Sequence, residues 1–448
     1  MPQVVWAKFL KPFLILFYAL IFIFIWINTS LASAPGDLDT SFNGTGIITT
    51  SISSMSDGGF AIVIQPDDKI VVAGASNSQE DFVIVRYNPN GSLDTDFNST
   101  GVVTTSIGNG TEAGLSIALQ SDNKIVVAGA GTSDQLNSDF AVLRYNVNGS
   151  LDTDFNSTGV VTTRVGSGID VGNGVVIQAN NKIVVTGYAE NNQGAKDIAI
   201  VRYNPNGSLD TSFKGTGIIT TSIDNMPFGD ERGEAVFIQA DGKIVVAGST
   251  GSQFVVLRYT TSGDLDVGFN GTGVVTTSVG SSSGGTSAAI QADGKIVVVG
   301  STGTGANTDF AVVRYTTNGA LDTTFNGTGI VTTDISSGFD RAQVVIIQPN
   351  NKIIVAGTSN FGMNTGDFTI VRYHSDGSLD TVFGNGGIVT TTISTNRDEA
   401  HGATIQSDGR VVIAGFENTT GNANDDINIA VARYIGNSIT YLPIVLKE

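Results

Sequence analysis

One short unit, repeated along nearly the whole chain, limits what this sequence can fold into more than any other feature. The leucines of its Leu-Asp pairs stand at Leu38, Leu93, Leu151, Leu209, Leu265, Leu321 and Leu379, with spacings of 55, 58, 58, 56, 56 and 58. Arg-Tyr pairs recur in step at Tyr87, Tyr145, Tyr203, Tyr259, Tyr315, Tyr373 and Tyr434. Glycines do the same at Gly74, Gly129, Gly187, Gly248, Gly300, Gly357 and Gly415. Such a period marks an array of small units that bury their apolar faces by stacking.

Each unit reads as four short strands. Strand a is apolar and ends in Gln, as in Ala61-Ile62-Val63-Ile64-Gln65. A tight turn such as Ala240-Asp241-Gly242-Lys243 leads to strand b, Ile244-Val245-Val246-Ala247-Gly248. Asn and Asp-Gly at that place supply the positive φ of two-residue hairpins. Strand c is of the type Phe310-Ala311-Val312-Val313-Arg314-Tyr315, and strand d of the type Gly217-Ile218-Ile219-Thr220-Thr221. No stretch of the repeat has an apolar period of 3.6, so helices are expected to be nearly absent.

Strands a and b are apolar on consecutive residues, which requires cover on both faces. Four-stranded sheets stacked around an axis provide it. The expected fold is all-β: a seven-bladed β-propeller of four-stranded antiparallel blades. The last a–b–c set, ending at Tyr434, has no strand d of its own, whereas a spare strand d stands first, at Leu38 to Thr50. A ring closed by that N-terminal outer strand uses both and leaves no open edge. A solenoid has no use for a split repeat and needs caps that the sequence lacks.

The LDTSFNGTG, IQADGKIVVAG and FAVVRY segments resemble the delta-60 repeat of secreted bacterial proteins. The resemblance runs over about residues 36–435. It implies an extracellular propeller and no particular chemistry.

Residues 1–34 read as a secretory signal peptide: Lys8 and Lys11, the apolar run Pro12 to Ile27, then Ser30-Leu31-Ala32-Ser33-Ala34. The competing reading is an uncleaved anchor, for which the apolar run is short. Residues 35–436 are read as the propeller, with repeats of 55–61 residues, and 437–448 as a C-terminal tail. Removing the signal takes away Lys8, Lys11 and no acid, so the formal charge of −18 becomes −20. Both Trp leave with it.

That balance argues against nucleic acid as a partner. Of the basic residues, Arg86, Arg144, Arg202, Arg258, Arg314, Arg372 and Arg433 belong to strand c, and Lys69, Lys124, Lys182, Lys243, Lys295, Lys352 and Arg410 to the a–b turn. Each strand c Arg is expected to pair inside its blade with the Asp of the Leu-Asp motif. The lack of Cys excludes thiolate sites and disulfides, and having only His374 and His401 argues against a Ser-His-Asp site or a multi-His metal centre.

The a–b and c–d turns hardly vary, so function is assigned to the variable face carrying the d–a and b–c loops. Just before strand a come Asp57, Glu112, Asp170, Glu231, Asp340 and Glu399, with Ser282 and Ser283 breaking the series. These acids are expected to ring the channel mouth, where Ca²⁺ is the candidate cation. The plainer reading is that they cap loops and stay solvated. The Asp94-Thr95-Asp96 and Asp152-Thr153-Asp154 segments imitate half a calcium loop but lack its sixth-position Gly, and read as turns.

Three roles compete. The first is a secreted, monomeric, non-catalytic binding or scaffold module for a protein, glycan or cell-surface ligand, with no membrane span once the signal is cleaved. The second is a metal-assisted lyase or lactonase, with His401, Asp398 and Glu399 as its candidates. The third is a structural module of the cell envelope.

Overall fold

The computed structural model describes residues 33–76, 81–132, 137–223, 229–304, 307–362, 365–420 and 427–436. Almost all of the expected signal segment, and the tail 437–448, lie outside these residues. The described residues form strands and turns, with no helix among them.

The a–b–c–d sets appear as antiparallel meanders. The fourth is representative, with Arg232–Ile238, Ile244–Ser249, Phe254–Tyr259 and Val274–Thr277 hydrogen-bonded in that order. In its a–b turn Gly242 takes φ 83°, and in the equivalent turns Asp68, Asn123, Asn181 and Asn351 hold φ of 61° to 64°. Asn, Asp and Gly occupy these places because they tolerate the left-handed region. Among the described residues five sheets have four strands and one has eight, the latter being two meanders joined by a single parallel pairing, Thr308 with Phe339.

The innermost strands are Gly58–Ile64, Ala113–Leu119, Asp170–Ile177, Arg232–Ile238, Ser283–Ile290, Phe339–Ile347 and Asp398–Ile405. Each packs against the next, and the last packs against the first. The core lies between neighbouring sheets. One layer, for example, joins Ile198, Ile200 and Phe213 to Val246, Val255 and Leu257 of the following set.

The chain ends close this ring. Ile47–Thr50 pairs antiparallel with Ile427–Tyr434, aligning Ile47 with Ala432, and Leu38 bridges Tyr434. The core layer across the junction contains Phe42, Ile70 and Val72 together with Val412, Ile429 and Val431.

Two polar devices repeat around the ring. The Arg–Asp pair expected from the sequence is present, and the Lys of the a–b turn joins it. Arg202 Nε donates to Asp210 Oδ2 at 2.6 Å and Lys182 Nζ approaches the same oxygen at 2.7 Å. The guanidinium lies 4.2 Å from the Phe213 ring centroid, and its Nη1 donates to Thr261 O of the next set at 2.8 Å. Burial works to raise the Asp210 carboxyl, but Lys182, Ser212 and Arg202 outweigh it and hold it well below the usual range. Losing one side of such a buried pair costs about 3–5 kcal/mol. At the junction Asp39 lies 2.8 Å from Arg433 and 2.6 Å from Arg410, at ion-pairing distance though out of hydrogen-bonding alignment. The second device is the strand c Tyr. Each is buried and bonds a Thr of the preceding strand d, as Tyr259 does Thr221 at 2.8 Å and, across the junction, Tyr87 does Thr50 at 2.8 Å.

Candidate functional site at the central channel

Every innermost strand carries a β-bulge at the same place. The register against strand b shifts between Gly59 and Ala61, Gly114 and Ser116, Gly172 and Gly174, Gly233 and Ala235, Gly285 and Ser287, Ala342 and Val344, and Ala400 and Gly402. The cause is the glycine that ends the KIVVAG-like segment. A Cβ on Gly248 would stand 1.9 Å from Arg232 O, and one on Gly74 1.8 Å from Gly58 O. Only a residue without a side chain lets the strand a carbonyl fold over it, and that fold leaves one residue of strand a unpaired.

The unpaired residues are Phe60, Leu115, Asn173, Glu234, Thr286, Gln343 and His401. All of them line one central cavity of about 450 Å³. Their types differ at every position, in a repeat whose other roles are filled almost uniformly. Sequence reading did not find them. The available signal was their offset, three residues after Asp57, Glu112, Asp170, Glu231, Ser283, Asp340 and Asp398.

Glu234 is the anionic member. Burial, and to a smaller extent Asp230, push its carboxyl up against the pull of Arg232 and Arg341, to about 7. It keeps some contact with solvent in the channel. Arg232 forks onto Asp230, with Nε at 2.8 Å and Nη2 at 3.1 Å. Tyr188 lies beneath this group, its ring 5.2 Å from the Arg232 guanidinium and 5.1 Å from Lys196 Nζ.

His401 stacks on Phe416 at 5.5 Å and meets Phe60 edge-on at 5.3 Å. Its Nε2 is 3.4 Å from Glu399 Oε2, an ion-pair distance without hydrogen-bond alignment. Burial alone would raise the Glu399 carboxyl, but His401 and Arg397 outweigh it and hold it low.

The six acids expected at the mouth are placed differently. Asp57, Glu112, Asp170, Glu231 and Asp340 are buried, each turned into its own d–a loop. Asp57 Oδ2 accepts from Ile52 N at 2.7 Å and Ser53 N at 2.9 Å. Glu112 accepts from Ile107 N, Asp170 from Val165 N and Gly166 N, Glu231 from Ile223 N, and Asp340 from Ile335 N and Ser336 N. Loop capping is therefore their role in the fold, but in a dry setting rather than a solvated one. Burial raises the carboxyls of Glu112 and Asp170 despite these bonds.

In the last set the capping acid is Asp398, which accepts from Ile393 N and Ser394 N, and not Glu399. This also separates Asp398 from the His401–Glu399 contact. In the fifth set Ser283 Oγ takes over, accepting from Val279 N at 3.1 Å, so the break in the acidic series is a change of acceptor. The half calcium loops are turns, with Asp96 N bonded to Asp94 Oδ1 and Asp94 itself paired to Arg86.

Of the six, only Asp340 joins a carboxylate group with the spacing to hold a cation, among the described residues. Its partners are Asp309 and Asp334, with one oxygen of each within 4.8 Å of the others. Asp334 stands where the equivalent residues are Ser106, Arg164, Ser222, Ser278 and Thr392. Burial, with Asp334 and Asp340 adding to it, raises the Asp309 carboxyl.

Six segments, 65–97, 120–155, 178–213, 239–269, 291–325 and 348–383, match the family model of a β-propeller domain of unknown function. Each runs from the Gln ending strand a to the Phe after the Leu-Asp pair. The copy split between Gln406–Tyr434 and Leu38–Phe42 is not matched as a contiguous segment.

No curated protein matches the chain. Among solved structures, a polysaccharide lyase described as a PL25 ulvan lyase is 12% identical, with a TM-score of 0.49 over 88% of this chain and 98% of that one. A catalytically inactive virginiamycin B lyase from Staphylococcus aureus, with quinupristin, is 13% identical, at 0.45 over 86% and 98%. A Dyadobacter fermentans protein of unknown function is 10% identical, at 0.45 over 86% and 97%. From its matched repeats and its ring of antiparallel sheets, the chain is a repeat β-propeller protein.

Proposed function

We propose that this chain is a secreted, seven-bladed, non-catalytic β-propeller that binds its ligand at the channel mouth, on the face of the d–a and b–c loops. One observation carries the reading. The bulge delivers a different side chain from each innermost strand into one cavity, while the Arg–Asp–Lys group, the Tyr and the loop-capping acceptor hardly change. Diversity confined to one concave, partly apolar surface on a uniform scaffold is the pattern of a recognition site. The partners that suit it are glycans, extracellular proteins or a cell surface. The amides of Asn173 and Gln343 offer paired donors and acceptors, and Phe60 and His401 offer ring faces.

The test is capture on immobilised glycans and surface proteins, comparing the wild type with a variant carrying Asn173→Ala and Gln343→Ala. The expected result is a ligand whose binding weakens at least about tenfold in the variant, with little change in melting temperature. Each lost hydrogen bond contributes about 1 kcal/mol. Binding that survives the substitutions would place the site elsewhere.

A second, catalytic reading is favoured by Glu234 and His401. A carboxyl titrating near neutrality suits a general acid or base, and His401 shares its cavity. Turnover of a captured ligand, lost in both Glu234→Gln and His401→Ala, would replace the binding reading with this one.

A further inference from the structure

The fifth set departs from its neighbours at the mouth. It has Ser283-Gly284-Gly285 in place of a capping acid and its two followers; the first set alone shares the glycine pair, as Asp57-Gly58-Gly59, and there the Phe60 ring lies 2.9 Å from where a Cβ on Gly58 would stand. Gly284 and Gly285 add no side chain to this strand, and Ser249 Oγ lies 2.6 Å from where a Cβ on Gly284 would stand. The result is a recess of about 390 Å³, with Arg232 of the fourth set on one side and Arg341 of the sixth on the other. Ser282, Ser301 and Thr308 supply hydroxyls to its wall. Glu234 and Thr286 line both this recess and the central cavity, so the two spaces are continuous.

The two arginines are differently committed. Arg232 uses Nε and Nη2 on Asp230, which leaves Nη1 outside that fork. Arg341 is exposed, and among the described residues no carboxylate lies within 4.0 Å of it. Its guanidinium rests 5.4 Å from the Phe361 ring centroid. The strand c arginines, by contrast, are all paired to Asp. An unpaired guanidinium at the edge of a polar recess is unusual in a chain of formal charge −18.

We infer that this recess holds an oxyanion, a carboxylate or sulfate ester, borne by a saccharide whose hydroxyls meet the serine and threonine wall. The inference rests on the channel reading, because a chain of more than one sugar extends from the recess into the cavity. Guanidinium groups bind planar carboxylates and sulfate oxygens through paired, charge-assisted hydrogen bonds. Hydroxyl and amide side chains exchange hydrogen bonds with sugar hydroxyls as both donors and acceptors. A neutral sugar would leave Arg341 without a partner. A phenyl or alkyl ligand would leave the hydroxyl wall unsatisfied.

Titration calorimetry on the full chain tests this with an oligogalacturonide, a sulfated galactan oligosaccharide and a neutral cello-oligosaccharide of equal length. The expected result is that at least one charged probe binds ten or more times tighter than the neutral one. Arg341→Gln should abolish that preference with an unchanged melting temperature, since the side chain is exposed and carries no ion pair. The two charged probes decide between carboxylate and sulfate.

Equal affinity for charged and neutral probes, no affinity for any, or a preference intact in Arg341→Gln would overturn the inference. The Asn173→Ala, Gln343→Ala variant separates it from the channel reading. Binding lost in that variant, with charged and neutral probes bound equally by the wild type, upholds the channel and sinks the oxyanion recess. Charged binding lost in Arg341→Gln but kept in that variant does the reverse.

Discussion

Glu234 joins the chemistry of the channel to the stability of the fold. It faces Asp230 and Arg232 from its own strand region, Arg341 from the sixth set, Tyr188 from the third and His401 across the cavity. Its carboxyl is raised from 4.5 to about 7, so the folded state holds a proton that the unfolded chain releases. Folding is therefore unpenalised below pH 4.5 and loses stability as pH rises toward and through 7. Glu234→Gln removes the loss. The variant should match the wild type at pH 4 and exceed it at pH 8 by on the order of 1–2 kcal/mol, allowing for water in the channel. Thermal melts across that range check it, and equal stability of the two proteins at pH 8 would refute the assignment. This residue was not legible in the sequence. Glu231, three places earlier, stands in a repeating series of acids, whereas Glu234 has Phe, Leu, Asn, Thr, Gln and His as its counterparts.

At the scale of the strand, the glycine in strand b and the bulge in strand a are one device. Gly248→Ala would press a methyl group onto Arg232 O, force the ladder back into register and turn Glu234 out of the channel. Such overpacking costs about 1–3 kcal/mol or more. Chemical denaturation should show that loss, together with a Glu234 titration shifted toward the ordinary range; a variant of wild-type stability would contradict the coupling. The strands and turns were readable because apolar runs and Asn, Asp or Gly turns have direct local causes. The bulge was not. Strand a is covered on both faces, so an inserted residue breaks no alternation that a sequence pattern could display. The recurring glycine was visible, but as a landmark of the repeat rather than as the seat of a carbonyl. The capping acids failed for a related reason. Spacing put them near the channel, and only the loop amides reveal which way they turn.

The whole molecule is held by its ends. Ile47–Thr50 supplies the outer strand of the last sheet, Asp39 meets Arg433 and Arg410, and Thr50 reaches Tyr87 of the first set. Deleting residues 35–50 should therefore abolish a single cooperative transition in calorimetry, and an unchanged melting curve would argue against closure. The split repeat made this architecture legible, because a spare strand at one end and a missing one at the other fit only a ring.

The same arrangement sets the order of events as the chain is made. The strand synthesised first is the strand paired last, since its partner is the final strand of the repeat array. Until Ile427–Tyr434 is available, Ile47–Thr50 has no strand to pair with, and the core layer around Phe42 lacks Ile429 and Val431. Pairings this distant along a chain form slowly and leave edges open to other molecules in the meantime. A full-length chain that has not yet closed thus carries two complementary loose ends. At high concentration the end of one such copy can serve the start of another, and linked rings or chains of copies are the natural products of failed closure.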